Sequence, residues 1–208
     1  MKKKFLSCLA LAVTGISLMA GSAMAMPVVG DLVKMSDGIG DLPGGEFNID
    51  ILNKGTSIDY YSFCVEKNEY IDFKSTFIVQ SVGDIAYNGG VGGVEPGGGD
   101  PISDATKWVY WNYLNGKFGG KSSALATSVQ KAIWYLEKEI SDSTAWDAFK
   151  PQDSDYSING IVKVINLQYQ NGAPAQSQLI GETPEPATML LFGTGLVGLA
   201  RAARRKRK

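Results

Sequence analysis

The sequence predicts an α+β fold, in which a sandwich- or barrel-like β-sheet core carries an inserted helical subdomain. Three observations support this prediction. Apolar and polar residues alternate around Phe47, Ile49 and Ile51, as they do on a half-buried strand. An apolar stripe with i, i+4, i+7, i+11 spacing indicates a helix in the middle of the chain, at Val129, Ile133, Leu136 and Ile140. Residues 161–169 again have strand character, so the helices are inserted between strands.

The first half of this domain is predicted to be strands. Residues 58–66 and 71–82 are rich in β-branched and aromatic side chains, and residues 67–69 form a plausible turn between them. Seven glycines then fall within residues 89–100, which indicates a flexible loop or a subdomain boundary.

Two helices are predicted to follow. Ser103 and Asp104 are suited to cap a helix that continues to about Asn115. The second helix begins near Ser122 or Ser123 and extends to about Ile140. A loop that contains Trp146 and Phe149 precedes the last predicted strand. Residues 171–183 are rich in Ala, Gln, Gly and Pro, and this composition predicts a linker.

Both ends of the chain carry targeting patterns. Residues 1–25 have the three parts of a secretory signal peptide, namely three lysines, an apolar stretch and a small-x-small cleavage site at Ala23-Met24-Ala25. At the other end, Pro184, Glu185 and Pro186 precede an apolar run over residues 187–200. Six of the final eight residues are basic. The sequence therefore predicts export, followed by an event at the C-terminal segment.

The C-terminal layout resembles the sorting signal of PEP-CTERM proteins, which Gram-negative bacteria process with an exosortase. The resemblance implies that residues 184–208 comprise the motif, a short single transmembrane helix and a basic tail. It also implies an exosortase-type protease as a partner, transient anchoring in the inner membrane, and a final location at the cell surface or in the extracellular matrix. An apolar run of about 14 to 17 residues is shorter than the roughly 20 that a stable span needs, which suits a temporary anchor. The basic cluster would stay cytoplasmic. A stable anchor that is never cleaved is the alternative.

Charge and composition exclude several classes of function. Nine of the 20 basic residues lie in the two terminal segments, whereas only one of the 21 acidic residues does, so the segment between them has a net charge near −9. This charge argues against binding to nucleic acid. The chain has no histidine, which excludes a Ser-His-Asp triad, a Cys-His pair and a His-containing zinc site. No carboxylate pair stands out, so we expect neither an enzyme, nor a metal site, nor a cofactor.

One cysteine remains after the signal peptide and its Cys8 are removed. A single thiol in an exported chain cannot form an internal disulfide. Cys64 is therefore a buried unreacted thiol, half of an intermolecular disulfide, or the partner of another group. It lies in the segment Phe63-Cys64-Val65-Glu66, and a glutamine with apolar neighbours follows in Val129-Gln130-Lys131-Ala132-Ile133-Trp134.

These two segments resemble the halves of the thioester (TQXA-like) domain of Gram-positive surface adhesins. The family has an aromatic-Cys-hydrophobic-acidic strand motif and a hydrophobic-Gln-x-x-hydrophobic motif at a helix, in this order. The resemblance covers residues 51–136 and implies a thioester-like domain over residues 26–170. It also implies that Cys64 and Gln130 form a thioester cross-link.

The implied thioester predicts a function. It would react covalently with an amine or hydroxyl on a surface or matrix ligand, and so mediate adhesion. Phe63 and Trp134 are candidates to shield it from water, since Trp134 lies one helical turn after Gln130. The alternative is a passive matrix or envelope protein that binds exopolysaccharide noncovalently and keeps Cys64 as a buried free thiol.

Overall fold

The computed structural model describes residues 26–41, 44–52, 59–87, 89–91 and 98–182. The predicted signal peptide and the sorting signal, including Pro184, Glu185 and Pro186, lie outside the described residues. No helix among the described residues is long and apolar enough to cross a membrane.

Six antiparallel strands form the main sheet, in the order β3-β2-β1-β4-β7-β8. They are β1 (Leu32–Asp41), β2 (Gly44–Ile51), β3 (Asp59–Ser62), β4 (Thr76–Gly83), β7 (Ile161–Tyr169) and β8 (Pro174–Glu182). Two short strands, β5 (Ile85–Ala86) and β6 (Asp100–Pro101), pair separately. The α+β prediction is confirmed in its coarse form of an antiparallel sheet with a few helices. The described strands form no closed barrel, so that part of the prediction is wrong, although residues 63–65, which follow β3, bond to residues 177–179 of β8.

Three helices are inserted between β6 and β7: α1 (Asp104–Leu114), α2 (Ser123–Leu136) and α3 (Thr144–Phe149). The predicted caps are present, because the hydroxyls of Ser103 and Ser122 accept backbone N–H groups of α1 and α2. Helix α2 ends four residues before the predicted Ile140, because Lys138 adopts a left-handed conformation with φ of 64°.

The segment around Trp146 and Phe149 is a helix, so the predicted loop is wrong there. Asp142 accepts a hydrogen bond from the backbone N–H of Thr144 at its start. The buried Trp146 packs edge-on against Trp108 with ring centroids 6.5 Å apart. Tertiary packing therefore stabilises a helix too short to form by propensity alone.

The linker predicted over residues 171–183 is also wrong, because most of it forms β8. Its polar composition predicts an exposed linker, but the side chains of Gln176, Ser177 and Gln178 are buried. Each of them makes hydrogen bonds within the domain. Because β8 pairs with β7 along its length, the last strand completes the sheet. The compact unit accordingly extends over residues 26–183.

Candidate functional site

Cys64 lies just beyond β3, in a short segment that is held by β8. The N–H of Val65 donates to the carbonyl of Ser177 at 3.1 Å, and the N–H of Leu179 donates to the carbonyl of Phe63 at 2.9 Å. Cys64 itself forms an isolated antiparallel bridge with Gln178. The side chain is a free cysteine and only 1% exposed. Strand β8, which lies in the segment predicted to be a linker, therefore fixes the position of the thiol.

Gln130 reaches the same point from helix α2, where it is fully buried. Its Oε1 accepts hydrogen bonds from the backbone N–H and from the Sγ of Cys64, each at 3.2 Å. Its Nε2 donates to the carbonyl of Cys64 at 2.8 Å. The carboxamide of Gln130 thus makes three hydrogen bonds to Cys64, which lies 66 positions earlier in the chain.

Phe63 and Trp134 occupy different surroundings. Phe63 is buried against the rings of Tyr110 and Tyr113, with centroids 6.2 and 5.0 Å away in edge-on geometry. It packs in a core cluster different from the one that contains Cys64 and Trp134. Trp134 is 5% exposed and lies one turn after Gln130 on α2. The structure therefore brings Trp134 to the Cys64 and Gln130 pair, whereas Phe63 anchors the adjacent backbone.

A cleft of about 470 Å³ borders Gln130. Gln130 and Trp134 form part of its wall, and exposed charged side chains of both signs surround it: Asp41, Lys67, Lys131 and Asp142. Gly44, at the start of β2, also lines it. A Cβ at this glycine would lie 2.8 Å from Cγ of Gln130 and 2.8 Å from Cη2 of Trp134. The absence of a side chain at Gly44 therefore makes room for both.

Burial sets the protonation state of the thiol. It raises the pKa of Cys64 far above its ordinary value, and the carboxyl groups of Glu66 and Glu139 raise it further. The indole of Trp134 and the backbone of Cys64 favour the thiolate and so lower the pKa of Cys64, but their effect is smaller than that of burial. Cys64 is therefore a neutral thiol at physiological pH.

Two buried carboxyl groups, those of Glu66 and Glu139, act electrostatically on the thiol. Burial raises the pKa of Glu66 to about 9, assisted by the nearby Glu69. Glu66 accepts the N–H of Gly89 at 3.1 Å, and Glu139 accepts those of Lys67 and Val91 at 2.8 and 2.9 Å. These carboxyls hold the chain around residues 89–91. Among the described residues no cluster of His, Cys, Asp or Glu is arranged to hold a metal ion.

The C-terminal segment indicates how the protein is sorted. Residues 182–207 match the PEP-CTERM protein-sorting motif. This match supports the prediction made from Pro184, Glu185 and Pro186, and it begins at Glu182, the last residue of β8. The PEP-CTERM motif indicates an exported protein that an exosortase sorts, transiently anchored by its tail before it reaches the cell surface. No curated protein and no solved structure matches the chain.

The match covers the sorting signal alone, so the other site assignments rest on the residues themselves. The sequence singled out Cys64, Gln130 and Trp134, which the structure brings together; their roles remain predictions. It missed Gly44 and the β8 residues that position Cys64. A pair of glycines, Gly44 and Gly45, directly before an alternating strand was the available signal for a close approach. The buried glutamines of β8 gave none, because their composition is that of a linker.

Proposed function

We propose that this exported, PEP-CTERM-bearing protein forms an internal thioester between Cys64 and Gln130 and uses it to attach covalently to a surface or matrix ligand. The observation that carries the proposal is the contact between the two side chains. Sγ of Cys64 lies 3.2 Å from Oε1 of Gln130, the oxygen bonded to the carbon that the sulfur would attack. Three hydrogen bonds hold the buried carboxamide beside the thiol, and such fixed proximity lowers the entropic cost of a reaction between the two groups.

Formation of the thioester is balanced within the pair. The sulfur of Cys64 bonds to the side-chain carbonyl carbon of Gln130, and the C–N bond of the carboxamide breaks. The thiol proton is transferred to the departing nitrogen, which leaves as ammonia, so no oxidant is needed. Negative charge develops on Oε1 in the intermediate, and the backbone N–H of Cys64 already donates to that oxygen.

Capture of the ligand would run this exchange in the opposite direction, with a nitrogen or oxygen nucleophile displacing the sulfur. A thiolate is a better leaving group than an amide nitrogen, so the thioester carbon is electrophilic. An unprotonated amine on a ligand attacks it, the C–S bond breaks, and the amine proton passes to the sulfur of Cys64. The product is an isopeptide bond to Gln130, or an ester where a hydroxyl attacks. The reaction occurs once per molecule, so the protein is an adhesin and not an enzyme.

The cleft beside the pair supports access by a ligand. Gln130 is fully buried, yet it contributes to the wall of a cleft whose rim carries exposed residues such as Lys131 and Asp142. A slender amine or hydroxyl can approach Gln130 through such an opening. The cross-link would also close a long loop, and by the chain-entropy model this contributes about 4 kcal/mol to stability.

The test is the intact mass of protein purified after expression of the full chain, before and after exposure to methylamine. We expect a mass short by one ammonia, followed by the gain of one methylamine. The matched variants Cys64→Ala and Gln130→Ala should show neither change. Peptide mapping should find the methylamine on Gln130.

A full calculated mass together with an alkylatable Cys64 would contradict the proposal. Gln130 must be examined for conversion to Glu in the same experiment, because hydrolysis of a thioester leaves that trace. Without it, a passive matrix protein that binds exopolysaccharide noncovalently would be the better description. The buried neutral thiol of Cys64 would then be simply a small core side chain.

A further inference from the structure

Trp134 has a buried indole N–H group without a hydrogen-bond partner in the described part of the chain. The side chain is only 5% exposed. A buried donor left unpaired costs about 1–3 kcal/mol, so such groups are rare in folded proteins and call for an explanation. An apolar ring such as phenylalanine would fill this place without that cost.

The position of the indole indicates which group it serves. Trp134 follows Gln130 by one turn on α2, and both side chains lie against Gly44. The indole makes no hydrogen bond to the neutral thiol of Cys64, yet it is the side-chain donor that lowers the pKa of that thiol. A neutral thiol is a weak acceptor, whereas a thiolate is a strong one, so this donor gains a strong partner when charge develops on the sulfur. The donor is therefore matched to a charge that appears only during reaction.

The surroundings of the sulfur make such a donor necessary. Burial and the carboxyl groups of Glu66 and Glu139 all disfavour negative charge on Cys64. The groups that favour it are the indole of Trp134 and the backbone of Cys64 itself. The backbone N–H already donates to Oε1 of Gln130, which leaves the indole N–H for the sulfur.

We infer that the indole N–H of Trp134 donates a hydrogen bond to the sulfur of Cys64 as the thioester opens, and thereby accelerates capture of the ligand. This inference rests on the proposed thioester. In the step concerned, the nitrogen of the ligand amine bonds to the carbonyl carbon of Gln130 while the C–S bond breaks. The electron pair of that bond goes to the sulfur, the indole N–H stabilises it there, and the proton lost by the amine then neutralises the sulfur. Trp134 is returned unchanged.

The decisive experiment removes the donor while keeping the bulk of the side chain. The thioester form of Trp134→Phe, purified from the full chain, is treated with methylamine, and its disappearance is followed by intact mass beside the wild type. Hydrolysis without amine is followed in parallel. We expect both reactions to be at least about tenfold slower in the variant, as for loss of a hydrogen bond to a charged group.

The direction of the change separates this role from shielding. A residue that only excludes water and reagents would, when reduced in size, make both reactions faster. Trp134→Ala removes shield and donor together, so its hydrolysis should be faster than that of Trp134→Phe. Rates in Trp134→Phe equal to or above those of the wild type would overturn the inference and leave the thioester proposal standing.

A second substitution keeps the test decisive if Trp134→Phe does not fold. Benzothienylalanine at position 134 keeps the shape of the indole and has sulfur in place of the N–H group. It should show the same slowing, and wild-type rates with it would overturn the inference. Absence of the ammonia loss in the wild-type protein itself would overturn both the thioester and the role of Trp134.

Discussion

Replacing Gly44 with alanine should displace Gln130 from its position beside Cys64. The new Cβ would lie 2.8 Å from Gln130 and 2.8 Å from Trp134, where ordinary contact begins at 3.4 Å, so the neighbours must yield by about 0.6 Å. Gln130 cannot yield freely, because its carboxamide is held by three hydrogen bonds to Cys64. The clash is steric alone, since the backbone of Gly44 is not in the left-handed region.

The size of the effect follows from this displacement. Overpacking of a filled core typically costs about 1–3 kcal/mol of stability. A misplacement near 1 Å can cost about 100-fold in rate, so a shift somewhat smaller should slow thioester formation by about tenfold. Gly83→Ala is the matched control, because Gly83 also lies in a strand and a Cβ there would contact nothing within 4 Å.

Two measurements test Gly44→Ala. Denaturant unfolding gives the loss of stability, and intact mass at fixed times after induction gives the fraction that has lost ammonia. We expect the control to match the wild type in both. Normal accumulation of the thioester in Gly44→Ala would refute the reasoning, because it would mean that the pair does not depend on the close approach of β2 to α2.

Two further predictions concern the surroundings of the pair. Glu66 holds its proton in the folded state up to about pH 9 but loses it near pH 4.5 when unfolded, so its contribution to stability is complete below pH 4.5 and is lost as pH rises towards 9. Glu66→Gln should therefore reduce the fall in melting temperature over this range, and an unchanged pH dependence would contradict the raised pKa. Gln178→Ala should lower the free energy of unfolding by about 1–3 kcal/mol, because the buried hydroxyl of Ser62 loses the acceptor that lies 2.7 Å away. Denaturant unfolding beside the exposed control Gln170→Ala, which should change stability by less than about 0.5 kcal/mol, checks this value, and equal losses in the two variants would count against it.

Local patterns predicted the elements whose stabilising interactions are local. The alternation at Phe47, Ile49 and Ile51 and the capping serines gave β2 and the starts of α1 and α2 correctly. The C-terminal end of α2 was predicted less accurately, because the left-handed backbone conformation of Lys138 ends the helix. The pattern of side chains does not predict that conformation. Strand β1 was missed, because Gly38, Gly40 and a register shift interrupt its alternation.

The site could be predicted only as far as residue types constrain chemistry. A single cysteine and a glutamine in a helix suggested a pair, but their contact depends on pairings between distant segments. Residues 63–65 bond to residues 177–179, and the sequence gives no sign of that pairing. The indole N–H of Trp134 was equally hidden, because whether a buried donor has a partner depends on packing and not on spacing. Its predicted shielding role rested on the bulk of the ring alone.

The pairing of Cys64 with β8 has a consequence for when the proposed thioester could form. With the predicted signal peptide at residues 1–25, export would proceed from the N-terminus, so residues 177–179 would emerge after Cys64 and Gln130. Until β8 is added, Phe63 and Val65 lack their backbone partners and the thiol is not held against the carboxamide. Because β8 continues directly into the PEP-CTERM motif, the last strand and the sorting signal arrive together. The proposed thioester would therefore form only at the membrane, at the end of translocation. It could not react with amines before that point.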